Sequence, residues 1–380
     1  MNKELNLALQ KPKHGGNLLA LKRQLAKVSN VTEQGLAVSP TQTWDWIDLS
    51  SAVNRHPWPV PDIPVSLWHE LPDLNALNLS AHDYYGCENF VPVAGTQQAI
   101  EALPTLLFDV EARKKTKVLI PQVGYQEHGF AWDKWRYQLE TYDQPYHLHE
   151  KDWQVLVLIQ PNNPTTLRLD LDQLLALIDV AQNRGAYIIL DEAFIDAVPR
   201  SSLLDHYRGK VWPESLIVLR SVGKFFGLPG ARVGFCFAHP RLLSGIKSVV
   251  GPWPIATPAV WLLSRAFKDE LWQQQARQDL RQRRQRFVQE IQPMIDSCLI
   301  NAKCGSNRWS QSELFCTLFS DQADAVFTQL QGAAIHVRLG QGWLRFALPA
   351  DVEFEPIKER LETALVNPVK KQSELEDINE

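Results

Sequence analysis

Residues 220–234 read Arg220-Ser221-Val222-Gly223-Lys224-Phe225-Phe226-Gly227-Leu228-Pro229-Gly230-Ala231-Arg232-Val233-Gly234. The stretch opens at the end of an apolar run, LIVLRS, and passes into a glycine-rich turn. A lysine stands in that turn, with Ser221 three residues before it and Arg232 eight after. Phe225, Phe226 and Leu228 surround it, which distinguishes it from a lone lysine in a solvated loop. An amine kept from water near other cations gives up its proton readily and makes a good imine-forming nucleophile. The Ser221 hydroxyl and the Arg232 guanidinium can both bind a phosphate dianion.

Outward from this turn, short apolar runs at 117–121 (KVLIP), 155–160 (VLVLIQ), 186–191 (AYIILD), 216–221 (LIVLRS) and 233–238 (VGFCFA) read as strands covered on both faces. Between two of them Asp170 can cap a helix whose Leu171, Leu174, Leu175 and Ile178 share one face, and Arg184-Gly185 ends it. Strand, helix and strand in alternation predict an α/β fold, a large domain with a mostly parallel sheet sandwiched by helices. After Pro258 a long charged stretch, 261–290, reads as helix with one break at most. Its Arg277, Arg281, Arg283, Arg284 and Arg286 alternate with Gln, Asp and Glu, the pattern of a solvated face. Strand-like runs return at 314–319 and 343–348, so a smaller α+β domain is expected. The predicted division is 45–258 for the large domain, 1–44 with 259–366 for the small one, and 367–380 as a disordered tail.

The chain has 380 residues, 45% hydrophobic and 22% charged, the balance of a globular protein with a core large enough to fold unaided. A net charge of -4 gives no electrostatic case for nucleic acid. Five cysteines, with no CxxC pair and one left over from any pairing, read as reduced thiols of a cytoplasmic protein. No apolar run reaches the length of a membrane span, and residues 1–13 hold no apolar signal core.

Three more segments carry chemistry. In Val93-Ala94-Gly95-Thr96-Gln97-Gln98, Gly95 permits a tight turn before a helix, whose free N–H groups suit an anion. A plain helix cap is the alternative. Pro161-Asn162-Asn163-Pro164-Thr165 follows a buried strand, at the sheet edge where α/β proteins bind ligands, and Asn163 can offer a donor. In Ile189-Leu190-Asp191-Glu192-Ala193-Phe194 a carboxylate ends an apolar strand, and a buried Asp needs a cationic or strongly donating partner. A protonated pyridine nitrogen would be such a partner, with the ring as an electron sink for a carbanion at a substrate Cα.

The order GTQ, PNNPT, DEAF, SxGKFFGLxGxRxG resembles the fold-type I pyridoxal-phosphate enzymes of the aspartate aminotransferase superfamily. The resemblance covers most of the chain, from about residue 80 to 350, and implies a seven-stranded sheet. It implies pyridoxal 5'-phosphate as cofactor, Lys224 forming the imine with it, and Asp191 pairing with its pyridine nitrogen. Asn163 would bond the ring's phenolic oxygen and Tyr125 would stack on the ring. Gly95, Thr96, Gln97, Ser221 and Arg232 would cradle the phosphate. A homodimer is implied, with Tyr85 of Asp83-Tyr84-Tyr85-Gly86, or else Tyr84, reaching a phosphate across its interface. Two positions depart from the pattern: Thr166 stands where Gly often follows PNNPT, and Phe194 where many relatives have Tyr.

Within the superfamily, His14-Gly15-Gly16-Asn17, Gly251-Pro252-Trp253-Pro254 and HVRLGQGWLRFALP are similar to the cobalamin-pathway threonine-phosphate decarboxylases, with the histidinol-phosphate aminotransferases as cousins. That likeness implies a small phosphorylated amino acid as substrate, with Arg345 on its carboxylate and Arg338, His14 and backbone amides such as that of Gly15 on its phosphate. The ordinary alternative for the two arginines is a surface ion pair. The cluster HLHE at 147–150 has no standard metal spacing, and no metal is expected.

Overall fold

The computed structural model describes residues 15, 16, 18, 22, 45–300 and 307–366. His14 and the 367–380 tail lie outside the described residues. The described residues form two compact units, one of Pro57–Gln275 and one drawn from His14–His56 and Ala276–Glu380. The division thus falls at 56/57 and 275/276, not at 44/45 and 258/259.

Strand β1 (Ile47–Asp48) belongs to the second unit. The sheet of the first is built from β2 (Phe90–Val93), β3 (Lys117–Pro121), β4 (Gln138–Tyr142), β5 (Val155–Ile159), β6 (Tyr187–Asp191), β7 (Leu216–Ser221) and β8 (Gly234–Phe237). Its order is β2-β8-β7-β6-β5-β3-β4. The pairs from β4 through β7 are parallel, and β8 runs antiparallel to both β7 and β2. Every residue of β5 is buried, which is why it reads as an unbroken apolar run. The two edge strands are the ones the apolar pattern does not announce. β4 exposes most of its polar sequence QLETY, and β2 holds Pro92, which an edge tolerates.

Helices α1 (Asn75–Tyr85), α2 (Thr96–Leu106), α3 (Glu127–Lys134), α4 (Leu171–Arg184), α5 (Pro240–Val250) and α6 (Thr257–Ala266) complete the layers. Ile100 and Leu103 of α2, Trp132 of α3 and Ile246 of α5 share one core with Val155, Val157 and Ile159 of β5. By the two-residue period of a strand, the equally buried Leu156 and Leu158 face the opposite side. On α4, Asp170 forms a capping box with Gln173, and Gly185 ends the helix at φ 61°.

Helix α6 packs on α1, and Trp272 stacks on Phe226 with ring centroids 5.5 Å apart, so this part of the expected small domain joins the large unit. The charged stretch breaks after α6 and resumes at Glu270–Arg286. Arg281 is exposed as a solvated face requires, but Arg283 corrects that reading: it is buried and donates to Asn54 Oδ1 at 2.7 Å. It lies on the face of Leu280 and Phe287, which are buried with it.

In the second unit β9 (Arg308–Gln311), β10 (Phe315–Phe319), β12 (Arg338–Gly340) and β13 (Trp343–Ala347) form an antiparallel sheet in the order β12-β13-β10-β9. β1 pairs in parallel with β11 (Ile335–His336). Among the described residues no helix is long and apolar enough to cross a membrane, and no group of three or more His, Cys, Asp or Glu could hold a metal ion.

Candidate active site

The motif loops of the first unit leave the sheet at one edge. Parallel strands bring their carboxyl ends together, so the residues after Val93, Pro121, Ile159, Asp191 and Ser221 emerge side by side. Register aligns Ile159 with Asp191, Asp191 with Leu219, and Ser221 with Gly234. β8 runs the other way, so its start arrives at this edge and carries Arg232 with it.

Gly95, at φ 73°, opens α2, and no side chain caps the helix. Its first N–H groups therefore need an acceptor from outside the helix. A Cβ on Gly95 would stand 2.7 Å from a guanidinium nitrogen of Arg232, so the cation lies directly against this helix start. A Cβ on Gly234 would stand 2.7 Å from the backbone N of Thr96. Both glycines are required by close approach, and together with Arg232 they build an anion cradle. Ser221, at the end of β7, is half-buried at the same edge. The side chain of Gln97 turns elsewhere: its Oε1 accepts from the Tyr125 hydroxyl at 3.1 Å, and its Nε2 donates to Glu127 at 3.0 Å.

Asp191 ends β6 and is 3% exposed. Its Oδ2 accepts from His128 Nε2 at 2.9 Å and its Oδ1 from the Ala193 N–H at 3.0 Å. Two donors thus fix the orientation of this buried carboxyl group. The Lys224 Nζ lies over the ring of Phe194, 5.3 Å from its centroid. Asn163 is half-buried in the loop after β5, while its neighbour Asn162 donates to the Val123 carbonyl at 3.1 Å. Thr166 in the same loop has φ 61°, the conformation glycine prefers.

Tyr85 is corrected. It is 3% exposed, edge-on to Phe235, Phe237 and Phe267, with its ring 4.8 Å from the Arg220 guanidinium. Burial, then the Asp196 charge, pushes its hydroxyl well above the usual phenol range. Enclosed in its own core, it cannot reach a neighbouring subunit. Tyr84 is half-buried and its hydroxyl donates to Asp196 at 3.0 Å. Arg220 bonds Asp196, Ser202 Oγ and Glu192, so a buried ion cluster lies at the end of β7, four residues before the motif lysine in sequence. Burial alone would lower the Arg220 pKa, but Asp196 and Glu192 outweigh it and hold the guanidinium charged.

The second unit holds a separate group. Arg345 on β13 stands directly opposite Arg338 on β12. Burial first, then the Arg338 charge, pushes the Arg345 guanidinium down to about 9. One of its nitrogens donates to the Ser50 carbonyl. The Ser50 hydroxyl accepts from the Gly16 N–H and donates to Asp48, both at 2.7 Å. A Cβ on Gly15 would meet the Ser50 carbonyl oxygen at 2.2 Å, so the glycine pair lies flat on the residue that Arg345 grips.

The sequence profile of class I and II aminotransferases matches residues 72–363. The chain belongs to that family. Among this family's curated members, a threonine-phosphate decarboxylase of Pseudomonas aeruginosa is 34% identical over 329 residues, 85% of this chain and 92% of the relative. Two solved histidinol-phosphate aminotransferases share the aminotransferase fold. That of Clostridium acetobutylicum has TM-score 0.70 and 21% identity over 84% of this chain and 99% of its own. That of Sinorhizobium meliloti, in complex with pyridoxal-5'-phosphate, has TM-score 0.66 and 16% identity over 79% and 84%.

The sequence reading assigned no role to several residues that contact the motif side chains or Arg345, or that form the buried ion cluster: His128, Glu127, Ser50 and the Arg220–Asp196–Glu192 group. Each lies far along the chain from its partner or inside a strand otherwise read as apolar. The one available signal was Arg220 itself, a charge closing the run LIVLRS.

Proposed function

We propose that this chain decarboxylates L-threonine O-3-phosphate to (R)-1-aminopropan-2-yl phosphate and carbon dioxide, with pyridoxal 5'-phosphate as cofactor. The observation that carries the reading is the facing pair of Arg338 and buried Arg345. Like charges directly opposed across strands repel, and a substrate with both a carboxylate and a phosphate turns that repulsion into binding. The decarboxylase relative matched over most of its length supports the same choice.

The first unit fits the cofactor chemically. An uncapped helix start with Arg232 against it suits a phosphate, and buried Asp191, held by two donors, suits a pyridine N–H. Lys224, Ser221, Asn163 and Tyr125 would complete the holding set, with Gly95, Thr96 and the backbone of Gln97. When bound, the cofactor supplies an electron sink for the charge left at Cα as the carboxylate departs. Arg345 would hold the substrate carboxylate, while Arg338, His14 and the Gly15 amide would hold its phosphate. Held at both ends, the substrate has one orientation about Cα, and orientation selects which bond breaks. The Lys224 Nζ is the group assigned to carry the proton that Cα must regain.

The test is incubation of the protein with cofactor and L-threonine O-3-phosphate. Carbon dioxide and the aminopropanol phosphate should appear in equal amounts, without 2-oxoglutarate. Amino transfer to 2-oxoglutarate, with histidinol phosphate as donor, would instead favour the second reading that the shared aminotransferase scaffold permits.

A cytoplasmic homodimer completes the proposal. Val65 and Trp68, 72% and 65% exposed on the short 3-10 helix Val65–Trp68, and Leu79, 67% exposed on α1, are on elements that border α6, and Leu71, 69% exposed, lies in the loop between those two elements. Exposed apolar groups clustered in this way mark an association surface. Sedimentation should give twice the chain mass, and a monomer with full activity would contradict it.

A further inference from the structure

A carboxamide has one accepting end and one donating end, so its neighbours decide which way it points. Glu127 is buried at the first position of α3, and its carboxylate can only accept. The Gln97 Nε2 must therefore face it, at 3.0 Å, and Glu101 stands on the same side at 3.4 Å. That leaves Oε1 toward the Tyr125 hydroxyl at 3.1 Å, so the phenol must donate. The Tyr125 ring also meets His128 in a T-shaped contact, with centroids 6.2 Å apart and planes at 83°. His128 in turn holds Asp191. A continuous line of contacts thus runs from the anion cradle, Gln97 to Tyr125 to His128, and ends on the buried carboxylate.

The geometry points to Gln97 as a positioning residue that sets the plane of the Tyr125 ring, with Glu127 holding its amide the right way round. This rests on the functional reading above, in which Tyr125 lies against the cofactor ring. Aromatic contacts depend on ring orientation, and a hydroxyl hydrogen bond together with a T-shaped ring contact restricts how the Tyr125 ring can tilt. The side chain of Gln97 therefore serves the ring end of the cofactor, while its backbone N–H remains available to the phosphate end.

The experiment is a double-mutant cycle on the full-length protein with Gln97→Met, Tyr125→Phe and the pair together. Both substitutions keep volume; Tyr125→Phe removes the bond to Gln97, whereas Gln97→Met removes that bond together with the donors to Glu127 and Glu101. Two quantities are read: the dissociation constant of pyridoxal 5'-phosphate, from its visible absorbance, and the visible circular dichroism of the bound cofactor, which reports ring orientation. Tyr125→Phe should weaken binding about fivefold, the worth of one hydrogen bond, Gln97→Met at least as much, and the double variant should be no worse than Gln97→Met alone. All three should share one altered dichroism band. Single variants without effect, or effects that multiply in the double variant, would overturn the assignment. Failure of the wild-type protein to bind the cofactor at all would instead overturn the functional reading on which it rests.

Discussion

The imidazole Nε2 of His128 lies 2.9 Å from Oδ2 of Asp191, and both side chains are buried. The contact spans 63 residues of sequence and fixes the Asp191 carboxylate at the end of β6. Loss of a donor to a buried charged group costs about 2–3 kcal/mol. His128→Phe should lower the unfolding free energy by that order in urea titration. Cofactor affinity should fall with it, because the Asp191 side chain loses the contact that fixes its orientation. Unchanged values in both measurements would show that the pairing holds nothing.

The Arg345 guanidinium, at about 9 through burial and then Arg338, gives the site a pH limit. Carboxylate binding needs the charged form, which the free protein loses as pH rises through that value. KM for L-threonine O-3-phosphate should climb as pH rises past about 9. In Arg338→Met the inflection should move upward, since the opposing charge is gone. That variant should also gain about 0.5 kcal/mol of stability while KM rises about tenfold. An inflection that stays in place would exclude Arg338 as a cause.

Thr166 holds φ 61°, a conformation that costs a residue with a Cβ about 1–2 kcal/mol. Thr166→Gly removes the cost and adds unfolded-chain entropy, leaving a net gain of about 0.5–1 kcal/mol. The urea midpoint should rise. A fall would mean that the threonine side chain makes contacts worth more than the strain.

Gly234→Ala would place a methyl 2.7 Å from the Thr96 N and 3.0 Å from the Arg220 carbonyl. Both are backbone atoms and neither can step aside cheaply. Destabilisation of about 1–3 kcal/mol is expected, with a larger relative loss of cofactor affinity because the start of α2 is what shifts. Calorimetry on the apo protein and titration with the cofactor separate the two effects.

The central strands were legible because burial on both faces leaves no polar alternation. The 216–221 run is matched by β7 residue for residue, and 155–160 by β5 to within one. The Asp170 cap and Gly185 stop were legible because both act within one turn of their own backbone. β4 was not, since an exposed edge strand has no apolar signature. Arg283 and Tyr85 misled for the opposite reason. A charged or hydroxyl-bearing side chain looks solvent-facing in sequence, yet each is buried against partners from distant segments.

Local chemistry, written residue by residue, determined the α/β class, the family and the loops that carry Gly95, Asn163, Asp191 and Lys224. These follow from periodicity, turn glycines and motif order, none of which needs a distant partner. Only the tertiary structure decided that β8 enters reversed, bringing Arg232 to the start of α2, and that Gln97 turns to Tyr125. It also decided that Tyr85 points inward and that Ser50 joins Gly16 to Arg345. Hydrogen bonds and close approaches of that kind depend on where the folded backbone brings distant segments together, and spacing along the chain does not encode that distance.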